Sequence, residues 1–169
     1  MSTLKFNHMR KAIITFCLML AAGAMYAQTS HEKLDSSEAE AVKHVLKKYK
    51  DALENLDAST TPQLFSADAA VFENGGFEGT YIQYLDHHLG PELGHFKEFK
   101  FNNYKVNVQV KGNMAVAYET YTYKIVTGGE NSQTIERKGV ATSVLEKIDG
   151  TWKILQYHSS ARTPKKAVK

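Results

Sequence analysis

Residues 99–110 read Phe99-Lys100-Phe101-Asn102-Asn103-Tyr104-Lys105-Val106-Asn107-Val108-Gln109-Val110, and the alternation of apolar and polar side chains in this stretch decides the fold class. A period of two puts every second residue on the same face of a strand, and Val, Tyr and Phe suit a pleated, half-buried surface. The apolar phase changes across Asn102 and Asn103, from Phe99 and Phe101 to Tyr104, Val106, Val108 and Val110, so a bulge or bend is expected there. The same texture continues downstream. Gly112 and Asn113 turn into a segment over 114–126, Gly128 and Gly129 into one over about 134–148, and Asp149-Gly150, a strong hairpin pair, into 151–161.

Upstream the period changes to that of helices. Ser37 followed by Glu40 has the spacing of a capping box, and Val42, Val45, Leu46, Tyr49, Leu53 and Leu56 then recur on one helical face. Lys43, Lys47, Lys48, Lys50 and Glu54 fall on the other face, expected to be solvated. Pro62 suits the first turn of a short second helix through Phe65, and 69–72 is a short apolar strand candidate that Asn74, Gly75 and Gly76 break. Tyr81, Tyr84, Leu85 and His88 have helical spacing, which predicts a third helix over 81–89 stopped by Gly90 and Pro91. Helices first and a meander of long strands afterwards make an α+β domain over 36–162, with the N-terminal helices packed on one face of a curved antiparallel sheet.

The first 27 residues read as a secretory signal peptide: Lys5, Arg10 and Lys11, an apolar run over 12–20, then small residues ending at Ala27. That run is too short for a comfortable membrane span, which needs about 20 residues. A polar leader over 28–35 and a basic tail over 163–169 flank the domain. Removal of the signal changes the charge balance, because the precursor holds 21 Lys and Arg against 18 Asp and Glu and the signal carries three of the cations and none of the anions. The mature chain is formally neutral, and it shows no basic stripe of the kind that binds nucleic acid. The one cysteine, Cys17, leaves with the signal, which excludes a disulfide or a thiolate nucleophile from the mature chain. The expected location is the periplasm or the outside of the cell, with no membrane contact after cleavage.

Between 36 and 162 the chain resembles the SnoaL-like group of the nuclear transport factor 2-like superfamily, which also contains ketosteroid isomerases. The resemblance rests on the opening amphipathic helix, on residues 64–73 (LFSADAAVFE), on Gly79 before a helix, and on the closing 150–160 (GTWKILQYHSS). It implies a cone-shaped curved sheet wrapped around the N-terminal helices, a deep and mostly apolar pocket, and a homodimer. It also implies Tyr49 as an oxyanion-stabilising phenol on the first helix and Glu73 as a carboxylate base. In ketosteroid isomerases a second acid stands on a later strand, where this chain has Ala141-Thr142-Ser143-Val144-Leu145.

The residues themselves add further candidates. Strict alternation along the last strand puts Trp152, Ile154, Gln156, His158 and Ser160 on one face. Lys153 belongs outside, so that face is expected inward and His158 becomes the central polar contact, able to exchange a proton near neutral pH. His88, His95, Tyr84, Tyr118, Gln156 and Phe72 are the expected ligand contacts. A Zn or Fe ion held by His88, His95 and His158 is an alternative to a site without cofactor. The functional expectation is an exported domain that binds a small apolar or amphipathic molecule. A proton-transfer enzyme of isomerase, cyclase or hydratase type, and a homodimeric interaction module, are the alternatives.

Overall fold

The computed structural model of the protein describes residues 36–164; the signal peptide, the leader and most of the basic tail lie outside the described residues. The chain divides after Glu38. Of the first unit only 36–38 are described, as helix, and the elements below belong to the unit Ala39–Lys169. Since 36 and 37 are already helical, Ser37 is not the cap its spacing to Glu40 suggests.

Residues 39–54 form α1. Its stripe is buried as the period requires, with Val42, Leu46, Tyr49 and Leu53 in the core. The opposite face is not wholly solvated. Lys47 and Lys48 are exposed, but Lys50 is only 5% exposed, because a helix in the hollow of a curved sheet is covered over more than one stripe. Helix α1 ends with Leu56 in the left-handed region, at φ 56°.

A 3-10 turn, Thr61–Leu64, leads into β1 (Phe65–Glu73), which pairs antiparallel with β2 (Gly76–Thr80) across the Asn74-Gly75 turn. Strand β2 and the first half of β1 are absent from the sequence reading, since residues 65–68 and 76–80 carry little alternation. Thr80 then caps α2 (Tyr81–Tyr84) through a capping box with Gln83. The expected stop at Gly90-Pro91 does not occur. A π-helical turn over Leu85–Leu89 widens the helix, and α3 (Gly90–His95) continues it. A π turn accommodates what an α-helix does not, namely a proline without an N–H whose ring would strike the carbonyl one turn back. Gly90 is needed there, because a Cβ would lie 2.7 Å from the Leu85 carbonyl oxygen.

The four long strands are β3 (Phe96–Lys111), β4 (Met114–Thr127), β5 (Thr134–Ile148) and β6 (Thr151–Arg162). With β1 and β2 they form one six-stranded sheet of order β2-β1-β6-β5-β4-β3, antiparallel except for the β1–β6 pair. The α+β class is as the sequence indicates. So is the bulge at Asn102–Asn103, where the β3–β4 register shifts and Asn103 has φ 54°. A second bulge decides the site. Val144 pairs with Gln156 but Leu145 with Ile154, so Leu155 is an extra residue and every side chain after it changes face. Trp152 and Ile154 are buried, and so are Tyr157 and Ser159, whereas Gln156 and His158 are exposed.

Candidate functional site

Strand phase and the π turn converge on the hollow side of the sheet. Tyr49 and Leu53 of α1, Phe99 and Phe101 of β3, Tyr121 and Tyr123 of β4, Tyr157 and Ser159 of β6, Tyr84 of α2, Glu92 of α3 and Glu73 of β1 line a cavity of about 80 Å³. A water molecule takes about 30 Å³ in the liquid, so this is room for a fragment of a few heavy atoms. Gly139 shapes one wall, because a Cβ there would lie 2.2 Å from the Tyr121 ring; glycine lets the ring lie flat over β5.

Five side chains gather at the mouth. The Tyr84 hydroxyl donates to Glu73 Oε2 at 2.9 Å. His88 Nε2 is 3.5 Å from Glu73 Oε2 and 3.5 Å from Glu92 Oε1, and its Nδ1 is 3.7 Å from Glu78 Oε2. The π turn stacks His88 on Tyr84 at 5.3 Å, while His87 faces away and meets the Glu78 carbonyl oxygen at 3.1 Å. Burial, reinforced by the Glu73 charge, pushes the Tyr84 phenol well above its ordinary value, so it stays a donor. Glu92 is pushed up by burial; His88 opposes this shift and Glu73 adds to it.

A second polar group lies behind the aromatic wall. Lys50 Nζ donates to the Tyr157 hydroxyl at 2.9 Å and lies 3.4 Å from Glu119 Oε1, which also accepts from the Tyr104 hydroxyl at 2.9 Å. The ammonium is 4.8 Å from the Tyr121 ring centre and 5.1 to 5.5 Å from those of Phe101, Tyr157 and Tyr49. Burial lowers the Lys50 pKa and Glu119 opposes that shift. Burial likewise holds Tyr49 and Tyr157 well above the ordinary phenol range. Glu119 Oε2 and Ser143 Oγ are buried without a hydrogen-bond partner among the described residues.

The expected site residues divide into two groups. Glu73, Tyr49 and Tyr84 line the cavity, and His88 stands at its mouth against Glu73 and Glu92. The others lie elsewhere. His158, Gln156 and Tyr118 are exposed on the outer face of the sheet, and the Leu155 bulge is the reason for the first two. Tyr118 is out of phase with Ala115 and Ala117, which are buried, and so points out. Phe72 alternates with Glu73 and packs outside on Phe77 and His158, at 5.1 and 6.2 Å. His95 is exposed at the end of α3. His88 and His158 thus lie on opposite faces of the sheet and cannot share an ion. No group of three or more His, Cys, Asp or Glu is placed to hold a metal among the described residues.

The sequence model of the SnoaL-like domain family matches residues 42–164. The chain belongs to the SnoaL-like domain family. The solved structures similar to this SnoaL-like domain include a nuclear transport factor 2-like superfamily protein from Salmonella enterica serovar Typhimurium. That protein is 22% identical with a TM-score of 0.66, over 79% of this chain and 95% of the other. A nuclear transport factor 2-like protein of unknown function from Pseudomonas putida is 15% identical, TM-score 0.63, over 79% and 93%. A ketosteroid isomerase-like protein from Erwinia carotovora is 14% identical, TM-score 0.62, over 75% and 98%. At these identities the likeness is one of fold. No curated protein matches the chain.

The residues missed by the sequence reading had signals of uneven strength. Glu119 shares the phase of Ala115, Ala117 and Tyr121, an inward phase, so a carboxylate inside the cone was legible. Lys50 follows Tyr49 directly, about 100° round the helix, and nothing local marks it as covered. Tyr157 was hidden by the bulge.

Proposed function

We propose that this SnoaL-like domain encloses one small, largely apolar molecule in the cavity between α1 and the sheet and holds its polar group at Glu73 and Tyr84. The observation that carries the reading is a carboxylate fixed by a phenol donor at 2.9 Å at the mouth of a cavity walled by aromatic rings. Concave, mostly apolar sites with a few convergent polar groups are where proteins bind small molecules. The cavity volume of about 80 Å³ favours a fragment-sized ligand, or the end of a longer one, over a fused-ring system. The order of basic, apolar and small residues in the first 27 positions supports export.

A thermal-shift screen of the wild type, Glu73→Gln and Tyr84→Phe against small metabolites tests the reading. Compounds that stabilise the wild type should stabilise both variants less. If nothing stabilises the wild type, or the variants respond equally, the cavity is not the site.

Two features favour additional readings. Glu73 and His88, 3.5 Å apart, could pass a proton to or from a ligand while Tyr49 donates from the far wall, and this supports a proton-transfer enzyme. The outer sheet face carries Tyr118, Val140 and Phe77 at 46%, 48% and 66% exposure, which supports a second copy docking there.

A further inference from the structure

The lining of the cavity has a chemical sign. Of the fourteen described residues that line it, eight are aromatic, and the charged ones are Glu73 and Glu92. An aromatic ring presents a negative face, so a cage of rings with carboxylates at its rim attracts cations and repels anions. The molecule already uses the same wall in this way. The Lys50 ammonium rests within 5.5 Å of the centres of Tyr49, Phe101, Tyr121 and Tyr157, four rings that line the cavity from its other side. Glu119 neutralises Lys50 at 3.4 Å, so no net positive charge stands behind the wall to oppose a second cation.

The mouth points the same way. Glu73 and Glu92 are compensated within the protein by one imidazole, His88, at 3.5 Å from each. Tyr84 donates to Glu73 at 2.9 Å, but when His88 is neutral the two carboxylates face the cavity with no cationic partner among the described residues. A neutral carbonyl ligand would leave them so, and an anion would add to the repulsion; an ammonium group relieves it. The cavity is compact, about 80 Å³, and suits a small head group.

We propose that the ligand of this cavity is a small alkylammonium cation, seated among Tyr84, Phe99, Tyr121 and Tyr123 with Glu73 and Glu92 as its counter-charges. This rests on the reading of the cavity as a small-molecule site and names the class that it takes.

The test compares choline with its neutral isostere 3,3-dimethylbutan-1-ol and with pivalate, by calorimetry and thermal shift on the purified protein at constant ionic strength. Choline should bind and raise Tm, and the isostere and the anion should not. Glu73→Gln and Glu92→Gln should each weaken choline, Glu73→Gln by more, since Glu92 is the more exposed of the two. His88→Gln should keep or strengthen binding, since it removes the imidazole that sits 3.5 Å from both carboxylates. Circular dichroism of each variant without ligand separates lost binding from lost folding, and Glu92→Gln, at the more exposed position, serves if Glu73→Gln unfolds. Equal or tighter binding of the isostere overturns the cation assignment but leaves the small-molecule site standing. Silence from all three probes, with hits elsewhere in the metabolite screen, also overturns it. Silence everywhere removes both readings.

Discussion

Two polar clusters lie on either side of one aromatic wall, and they solve opposite problems. Lys50 and Glu119 are 5% and 1% exposed and are bound to each other, to Tyr157 and to Tyr104. Glu73, His88 and Glu92 have side chains 24%, 33% and 54% exposed, and neither ion pair among them is closer than 3.5 Å, although Glu73 also accepts from Tyr84 at 2.9 Å. The inner cluster is sealed from solvent and neutral as a pair, with only Glu119 Oε2 left without a hydrogen-bond partner among the described residues, so it fixes the wall. The outer one has more negative than positive groups and opens into a cavity, so it has chemistry left to satisfy. Burial of charge alone does not mark a site; incomplete compensation beside an accessible space does.

The largest break in this comparison is within the closed pair. Lys50→Met or Glu119→Leu strands a buried charge and should cost about 3–5 kcal/mol in denaturant unfolding, whereas the double variant should recover much of that loss. A loss in the double variant equal to the sum of the two single losses would mean that the two residues are not coupled. Next comes the wall itself. Gly139→Ala must displace the Tyr121 ring and should cost about 1–3 kcal/mol and weaken ligand binding with it.

Glu73→Gln should behave differently, with stability changed by less than about 1 kcal/mol and ligand-induced stabilisation largely lost. The pH dependence separates the clusters as well. Tyr49, Tyr84 and Tyr157 have folded-state pKa values raised by burial above the ordinary 10.0. The folded chain therefore holds these protons longer than the unfolded one. Their contribution is complete below pH 10 and is lost as the pH rises through the folded values, and urea titrations from pH 8 upward should show stability falling beyond pH 10. The smallest effect is at the mouth. Glu92, raised above 4.5 by burial, costs stability once ionised, so Glu92→Gln should be slightly more stable than wild type at neutral pH. The gain should vanish below about pH 4.5.

Sequence alone carried the fold further than the site. The period-two runs of β3 to β6, the stripe of α1 and the Asn102–Asn103 phase change are local patterns with local causes, and they appear in the structure where the residues put them. Tyr49, Glu73 and Tyr84 followed from them and from the family resemblance. His158 did not, because a single extra residue at Leu155 reverses the strand's faces; the shift of the apolar phase from Trp152 and Ile154 to Leu155 and Tyr157 was the one local signal of it, and strict alternation overrode it. The π turn is similar: Gly90-Pro91 reads as a stop in any α-helix, and only the packing of Leu89 and Leu93 in the core makes the widened turn worthwhile.

The central claim is that the site lies in the hollow at Glu73 and not on the outer face at His158. Ligand-induced change in Tm, measured in parallel on Glu73→Gln and His158→Ala, tests it most directly. The account predicts that His158→Ala keeps the full wild-type shift while Glu73→Gln loses most of it. The reverse pattern, loss in His158→Ala with Glu73→Gln unaffected, would contradict it.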